Sequence, residues 1–155
     1  MSRVLRVVLV SVVTLGSFLP GFTFAADNCT GYDISATTMA DTRDVGEGMT
    51  LTTFQQENVV MSEDTPNYRN LTGQCAGTVL TMPDGRIFVT GHCVRRHKDG
   101  HTQAIEWGQA AGEEKGAWKE LGGTGKFVNA QGTGWFQEAH ADGKSSVVKW
   151  GGTCK

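Results

Sequence analysis

Three Asp-Gly pairs, Asp84-Gly85, Asp99-Gly100 and Asp142-Gly143, divide the second half of the chain into short segments rich in Val, Thr and Trp. Asp tolerates a positive φ and Gly adopts one at no steric cost, so each pair is a strong signal for a tight hairpin turn. Further Gly-containing turns are expected at 112–116 and 129–132, and a helical pattern fits nowhere longer than a turn or two. The sequence therefore predicts an all-β fold made of consecutive hairpins.

About eight short strands are expected between these turns, joined as an antiparallel meander. A meander that exposes no edge must close on itself, so the favoured architecture is a roughly eight-stranded barrel, with a β-sandwich as the alternative. The segment before residue 47 is polar and is expected to be irregular apart from one short strand. The predicted strands are 37–39, 49–61, 76–82, 86–96, 102–109, 117–121, 127–128, 135–138 and 145–150.

Alternation within the segment 86–94 supports a strand. Ile87 and Val89 fall on one face, while Phe88 and Val94 fall on the other. Because both faces carry apolar residues, this strand is expected to be covered on both sides.

The N-terminus has the pattern of a secretory signal. Arg3 and Arg6 lead into the apolar run 7–19, and a small-x-small pattern follows at 23–25. We therefore expect residues 1–25 to be a signal peptide and residues 26–155 to form a single exported domain, either periplasmic or secreted. An uncleaved N-terminal anchor is the alternative.

Charge excludes two classes of partner. Without Arg3 and Arg6, the 14 basic residues become 12 against 16 acidic ones. A weakly acidic chain has no electrostatic footprint for nucleic acid or for an anionic membrane surface. No other apolar run approaches the roughly 18 residues of a membrane span, so no membrane association is expected after the signal is removed.

Four cysteines, an even number in an exported small domain, predict two disulfides. Three pairings are formally allowed. A hairpin about Asp84-Gly85 places Cys75 almost opposite Cys93, which leaves Cys29 to pair with Cys154. The alternatives are a metal site or a reactive thiol, but the spacings are wide and include no Cys-x-x-Cys, so neither is expected.

The stretch 121–132, LGGTGKFVNAQG, resembles the Gly-Gly-Thr-Gly-Lys-Phe motif of the dirigent and allene oxide cyclase families. The resemblance implies an eight-stranded antiparallel barrel of the calycin type, usually trimeric, with an apolar lumen. Glycines here let the chain bend at a barrel corner, while Phe127 packs inside and Gly132 opens the next strand. None of the catalytic or substrate-orienting residues of either family maps onto this chain, so none is assigned.

His97, Asp99 and His101 surround one predicted turn, and imidazole and carboxylate groups together suit Zn or Cu. The neighbouring charges of Arg96 and Lys98 oppose a bound cation. A solvated polar turn is the favoured interpretation, and no metal or cofactor is predicted.

Three carboxylates, Glu106, Glu120 and Glu138, fall in predicted strands near apolar positions. If one pointed into a lumen, burial would raise its pKa and suit it to general acid–base work. Alternation against Trp107 instead favours an outward Glu106. No Gly-x-Ser-x-Gly nucleophile motif is present and the thiols are expected to be oxidised, so no catalytic residue is assigned.

The four tryptophans lie on the late strands, where they would either line an apolar cavity or fill a core. The favoured function is non-catalytic binding of a small apolar ligand. The alternatives are an isomerase or cyclase resembling allene oxide cyclase, and a structural module that forms a homo-oligomer. The predicted ligand-binding residues are Trp107, Trp118, Trp135, Trp150, Glu106, Glu138 and His92.

Overall fold

The computed structural model describes residues 28–155, which form one closed barrel of eight antiparallel strands. Each strand pairs with the next along the chain, and β1 pairs with β8 to complete the circuit. The predicted all-β barrel is confirmed and the β-sandwich is excluded, whereas the predicted signal peptide, residues 1–25, lies outside the described residues. The strands are β1 (Cys29–Gly46), β2 (Met49–Met61), β3 (Leu71–Thr81), β4 (Ile87–Arg96), β5 (Thr102–Gln109), β6 (Gly116–Gly123), β7 (Gly132–Ala141) and β8 (Ser145–Cys154).

The Asp-Gly turns form as the sequence predicts. Gly85, Gly100 and Gly143 have φ values of 83°, 86° and 83°, the left-handed region that a residue with a Cβ rarely adopts. Each glycine lies in the turn that joins two paired strands.

The expectation of an irregular segment before residue 47 is wrong, because β1 is the longest strand at 18 residues. Its inward side chains include Asp33 and Ser35, so the apolar-in, polar-out alternation that signals a strand is missing. Beyond Ala36, β1 pairs only with β2, whereas β2 continues to pair with β3 as far as Thr50. Residues 38–46 of β1 are exposed, which agrees with their polar composition.

The two ends of the barrel are connected differently. At one end, here called the open end, the strands are joined by the short turns 47–48, 82–86, 110–115 and 142–144. At the other, the closed end, two longer connections contain 3₁₀ helices, Pro66–Tyr68 and Gly125–Phe127. Residues 127–128 were expected to be a strand; they instead follow the positive-φ Gly122 and Gly125, which end β6 and turn the chain inward.

Aromatic side chains from these longer connections fill the closed end. Tyr68 is 6% exposed and Phe127 is 2% exposed, and their rings pack edge to face with centroids 6.0 Å apart. Beneath them lie Leu71, Trp118 and Trp150, which belong to the same buried cluster. As the resemblance implies, Phe127 packs inside and Gly132 opens β7.

Two disulfides confirm the predicted pairing. Cys29–Cys154 joins the first strand to the last at the closed end, across a sequence separation of 125 residues. Cys75 and Cys93 are directly opposed on β3 and β4 and face the barrel interior. No helix within residues 28–155 is long and apolar enough to cross a membrane.

The outer wall carries several uncovered apolar side chains. Phe88 and Val94 on β4 are 38% and 58% exposed, so the expectation that this strand is covered on both sides is wrong. A single-layered barrel buries only its inner face, where Val89 lies. The other exposed apolar residues of β1 and β2 at the closed half of the barrel are Tyr32, Ile34, Val59 and Met61.

Candidate functional site

A cavity of about 400 Å³ occupies the barrel interior and reaches Gly143 in a turn of the open end. Its upper wall consists of Phe54, Trp107 and Phe136, here called the aromatic belt. Within the belt the Phe54 and Trp107 ring centroids are 6.1 Å apart, and those of Trp107 and Phe136 are 5.9 Å apart at 88°. The belt therefore presents ring faces and edges to anything that enters from the open end.

Inward-facing glycines leave room for the large side chains of neighbouring strands to lie against the wall. Gly91 is paired in register with Trp107, and a Cβ on Gly91 would lie 2.5 Å from the Trp107 ring. The indole therefore lies across the neighbouring strand instead of projecting over the lumen, and the same arrangement recurs around the barrel. The pairs of an inward glycine and a large side chain are Gly31–Trp150, Gly73–Arg95, Gly77–Phe54, Gly91–Trp107, Gly116–Phe136 and Gly134–Trp118.

Below the belt, the cavity floor carries an ion pair between Arg95 of β4 and Asp33 of β1. Arg95 donates through Nη2 to Asp33 Oδ2, and each side chain is 11% exposed. Asn58 donates to the same oxygen over 2.8 Å, and the Ser35 hydroxyl donates to Oδ1 over 3.0 Å. Three donors therefore hold the Asp33 carboxylate in place.

A second polar group, also at the floor, centres on Glu120. The Tyr68 hydroxyl and the Gln103 side-chain amide each donate to Glu120 Oε1 over 2.7 Å. Desolvation, reinforced by the hydrogen bond to Glu120, raises the pKa of Tyr68, so its hydroxyl stays protonated. Tyr68 and Gln103 line the cavity. Glu120 is not part of the lining, but it accepts a hydrogen bond from each of them.

The structure divides the residues predicted to bind ligand between the two faces of the wall. Trp107, Trp118, Trp150 and Glu138 line the cavity, and their contact with a ligand stays a prediction. Trp135 faces outward, because its neighbour Phe136 faces in and successive side chains alternate.

Glu106 and His92 also lie on the outer face. They are opposed in register on β5 and β4. The Glu106 carboxylate is 3.8 Å from the Lys119 ammonium in an exposed pair, as the alternation against Trp107 predicts.

Sequence reasoning missed five residues that define the site: Phe54, Phe136, Arg95, Asp33 and Gln103. One signal was available for four of them. Phe54, Phe136, Arg95 and Gln103 each fall directly opposite a glycine once neighbouring strands are aligned. Asp33 has no such partner, and only the closed barrel brings it to the floor.

The polar side chains of the β4–β5 turn, which lies at the closed end, contact one another. His97 Nδ1 is 2.9 Å from Asp99 Oδ1, while His101 Nδ1 and Lys126 Nζ are 3.5 and 3.3 Å from Oδ2. Desolvation opposes ionisation of Asp99, but hydrogen bonds from His101 and His97 outweigh it and lower its pKa. Within the described part of the chain, no group of three His, Cys, Asp or Glu residues is placed to hold a metal ion.

Two solved structures of pterocarpan synthase dirigent proteins share this fold. One aligns with a TM-score of 0.52 at 13% identity, covering 84% of this chain and 95% of that protein. The other aligns with a TM-score of 0.51 at 13% identity, covering 79% and 84%. The predicted resemblance to the dirigent barrel is therefore confirmed for the fold.

A pyocyanin demethylase aligns less closely, with a TM-score of 0.46 at 12% identity over 78% of this chain and 98% of that protein. No protein-family model and no curated protein matches the sequence.

Proposed function

We propose that the protein is an exported barrel that binds one small, flat, apolar molecule in its lumen without transforming it. The observation that carries the proposal is the aromatic-lined cavity of about 400 Å³, which falls within the size range of small-molecule sites. The two disulfides fit an oxidising compartment outside the cytoplasm, which agrees with export.

The glycine pairs favour a ligand cavity over a packed core. An eight-stranded barrel is narrow enough for its own side chains to fill. Here the Trp107 and Phe136 rings lie over Gly91 and Gly116, so they pack against the barrel wall and leave the centre of the lumen open. A planar molecule lying against these rings would gain offset or edge-to-face contacts with both.

Titration of the mature protein with two uncharged naphthalenes, prodan and 2-naphthalenemethanol, tests the proposal. Because Trp107 lies in the belt, we expect saturable quenching of tryptophan fluorescence and one-to-one binding by calorimetry. Gln56→Phe should abolish binding, since Gln56 faces the lumen. Gln55→Phe is the matched control, because Gln55 is exposed on the opposite face of the same strand.

A flat response to both probes, or equal binding by the Gln56→Phe variant, would overturn the proposal. Chromatography of the probe recovered after incubation distinguishes binding from the isomerase or cyclase alternative, which requires a changed product.

A second function, self-assembly, is favoured by the outer face of β1 and β2. Tyr32 is opposed to Met61 and Ile34 to Val59, so four exposed apolar side chains form one continuous patch. Exposed patches of this kind mark interaction surfaces. We infer that the patch packs against a second copy of the chain.

Size-exclusion chromatography with light scattering tests self-assembly. We expect a mass above that of one chain, reduced to the monomer by Ile34→Lys. Thr53→Lys is the control, because Thr53 is exposed on the same face of β2 but beyond the patch. A monomer at high protein concentration removes the second function.

A further inference from the structure

Few charged side chains line the lumen, and the one cation among them is paired. Of the residues that line the cavity, only Asp33, Arg95 and Glu138 belong to the acidic or basic types Asp, Glu, Lys and Arg. Arg95 is the single cation among them, and Asp33 neutralises it at the floor. Glu138 lies on β7, exposed towards the open end.

We propose that the lumen accepts uncharged ligands and rejects anionic ones, and that Asp33 is the residue that sets this selectivity. The inference rests on the proposed ligand-binding function and adds the chemical class of the ligand to it.

The wall is shaped to keep Arg95 on Asp33. Arg95 is paired in register with Gly73, and a Cβ on Gly73 would lie 2.7 Å from the Arg95 Cα and 3.0 Å from its Cγ. Because Gly73 has no side chain, the Arg95 side chain can lie against β3, and its guanidinium contacts Asp33 of β1. Asn58 and Ser35 fix the carboxylate that receives it.

An anionic ligand would gain little from this arrangement. A carboxylate within hydrogen-bonding distance of Arg95 would also lie close to Asp33, so attraction and repulsion largely cancel. Pulling Arg95 away from Asp33 would leave a buried carboxylate without its counter-ion, which is strongly unfavourable. Glu138 adds repulsion along the entry path. An uncharged hydroxyl or carbonyl meets none of these penalties.

Two probes with the same ring system and nearly the same size provide the test: 2-naphthalenemethanol and 2-naphthoate. Calorimetric titration of the wild-type protein should give at least about tenfold tighter binding of the alcohol. Asp33→Asn leaves the Arg95 charge uncompensated in a site of reduced dielectric. We expect the ratio of the 2-naphthoate affinity to the alcohol affinity to rise at least about tenfold in this variant relative to the wild type.

Matched variants distinguish the effect of Asp33 at the cavity floor from the effect of removing any negative charge. Glu138→Gln should improve 2-naphthoate binding by only about twofold to threefold, since an exposed carboxylate is screened. Glu106→Gln should change neither affinity, because Glu106 lies on the outer wall. The double variant Asp33→Leu/Arg95→Leu removes both charges and should keep the wild-type preference for the alcohol over 2-naphthoate. Because it replaces a buried pair by apolar groups, it keeps the test usable if Asp33→Asn fails to fold.

Each outcome has a separate meaning. If the wild-type protein binds both probes equally, or if Asp33→Asn leaves their ratio unchanged, the selectivity inference is overturned and ligand binding stands. Tight binding of 2-naphthoate by the double variant would likewise overturn it. If the wild-type protein binds neither probe, the proposed function itself fails.

Discussion

The closed and open ends of the barrel share the same eight strands but differ in what lies across them. At the closed end, the connections 62–70 and 124–131 are long enough to fold back and place Tyr68 and Phe127 over the lumen. At the open end, short turns such as 82–86 only reverse the chain, and the cavity extends to Gly143. The barrel is therefore plugged at one end only, because the connections at that end place aromatic side chains inside it.

The two ends also differ in what their side chains contribute. At the closed end, the aromatic rings contact one another in a buried cluster and stabilise the fold. At the open end, Trp107 and Phe136 remain partly exposed to the cavity, so the apolar surface there is left for a ligand. Changes at the closed end are expected to affect stability, and changes at the open end to affect binding.

The largest difference is expected between the two disulfides. Replacing Cys29 and Cys154 by Ser opens a loop of 125 residues at the closed end, whereas the Cys75–Cys93 loop spans 18. In the chain-entropy model these losses are about 5 and about 3 kcal/mol in the free energy of unfolding. Urea denaturation of the two double variants measures both values. Equal losses would show that loop length does not control their contributions.

The next largest change in stability is expected when an aromatic ring is removed from the closed-end cluster, in comparison with a ring on the outer wall. Phe127→Ala should lower the free energy of unfolding by about 4 kcal/mol, because the ring is buried in the closed-end cluster. Phe88→Ala on the outer wall should cost less than about 1 kcal/mol, since that ring is 38% exposed. Denaturant unfolding with unchanged m values checks both. A small loss for Phe127→Ala would mean that the loops do not seal the closed end.

Two inward glycines, Gly31 at the closed end and Gly116 at the open end, are expected to respond differently to an added Cβ. A Cβ at Gly31 would lie 2.2 Å from the Met61 carbonyl oxygen and 2.6 Å from the Trp150 ring, so the backbone itself must move. Gly31→Ala should therefore destabilise by about 2 kcal/mol. At Gly116 the close contact is the tip of the Phe136 ring, 2.0 Å away, which can turn into the lumen.

Gly116→Ala should consequently retain most of its stability, measured by thermal unfolding, and lose affinity for 2-naphthalenemethanol. The reverse pattern, with Gly31→Ala the milder change in stability, would contradict the division between the two ends.

The smallest effect is expected at an open-end turn. Hydrogen bonds from the backbone amides of Ser145 and Lys144 lower the pKa of Asp142 below its ordinary value of 3.8. Because the folded-state pKa is the lower one, this carboxylate stabilises the fold above about pH 4, and the contribution is lost as the pH falls through the folded-state pKa. Asp142→Asn mimics the protonated form and should melt slightly earlier at neutral pH. Melting curves at decreasing pH should show the difference vanish; a difference that persists in strong acid would refute the assignment.

Much of the wall was predictable from local signals. Asp-Gly turns fixed where strands β3, β4, β7 and β8 meet, and the turn at Asp84-Gly85 placed Cys75 opposite Cys93. The length of β1 was not predictable from alternation, because Asp33 and Ser35 face inward in place of apolar residues. Their positions make sense only beside Arg95, which comes from a strand that is distant in sequence.

Fewer of the cavity-lining residues could be predicted from the sequence, because strand register decides which side chains face inward. Trp107 and Trp118 were found because aromatic residues on strands often face an interior, but the same argument also selected Trp135, which faces outward. Which face of β7 is internal is set by strand register, and a shift of one residue exchanges the two faces. Pairing each glycine with the large residue opposite it would have identified Phe136.

The most direct test is a crystal structure of residues 26–155 soaked with 2-naphthalenemethanol. We expect an open barrel with the naphthalene ring against Trp107 and Phe136 and the Arg95–Asp33 pair intact at the floor. Side chains that fill the lumen, or a probe bound only to the outer wall, would contradict it.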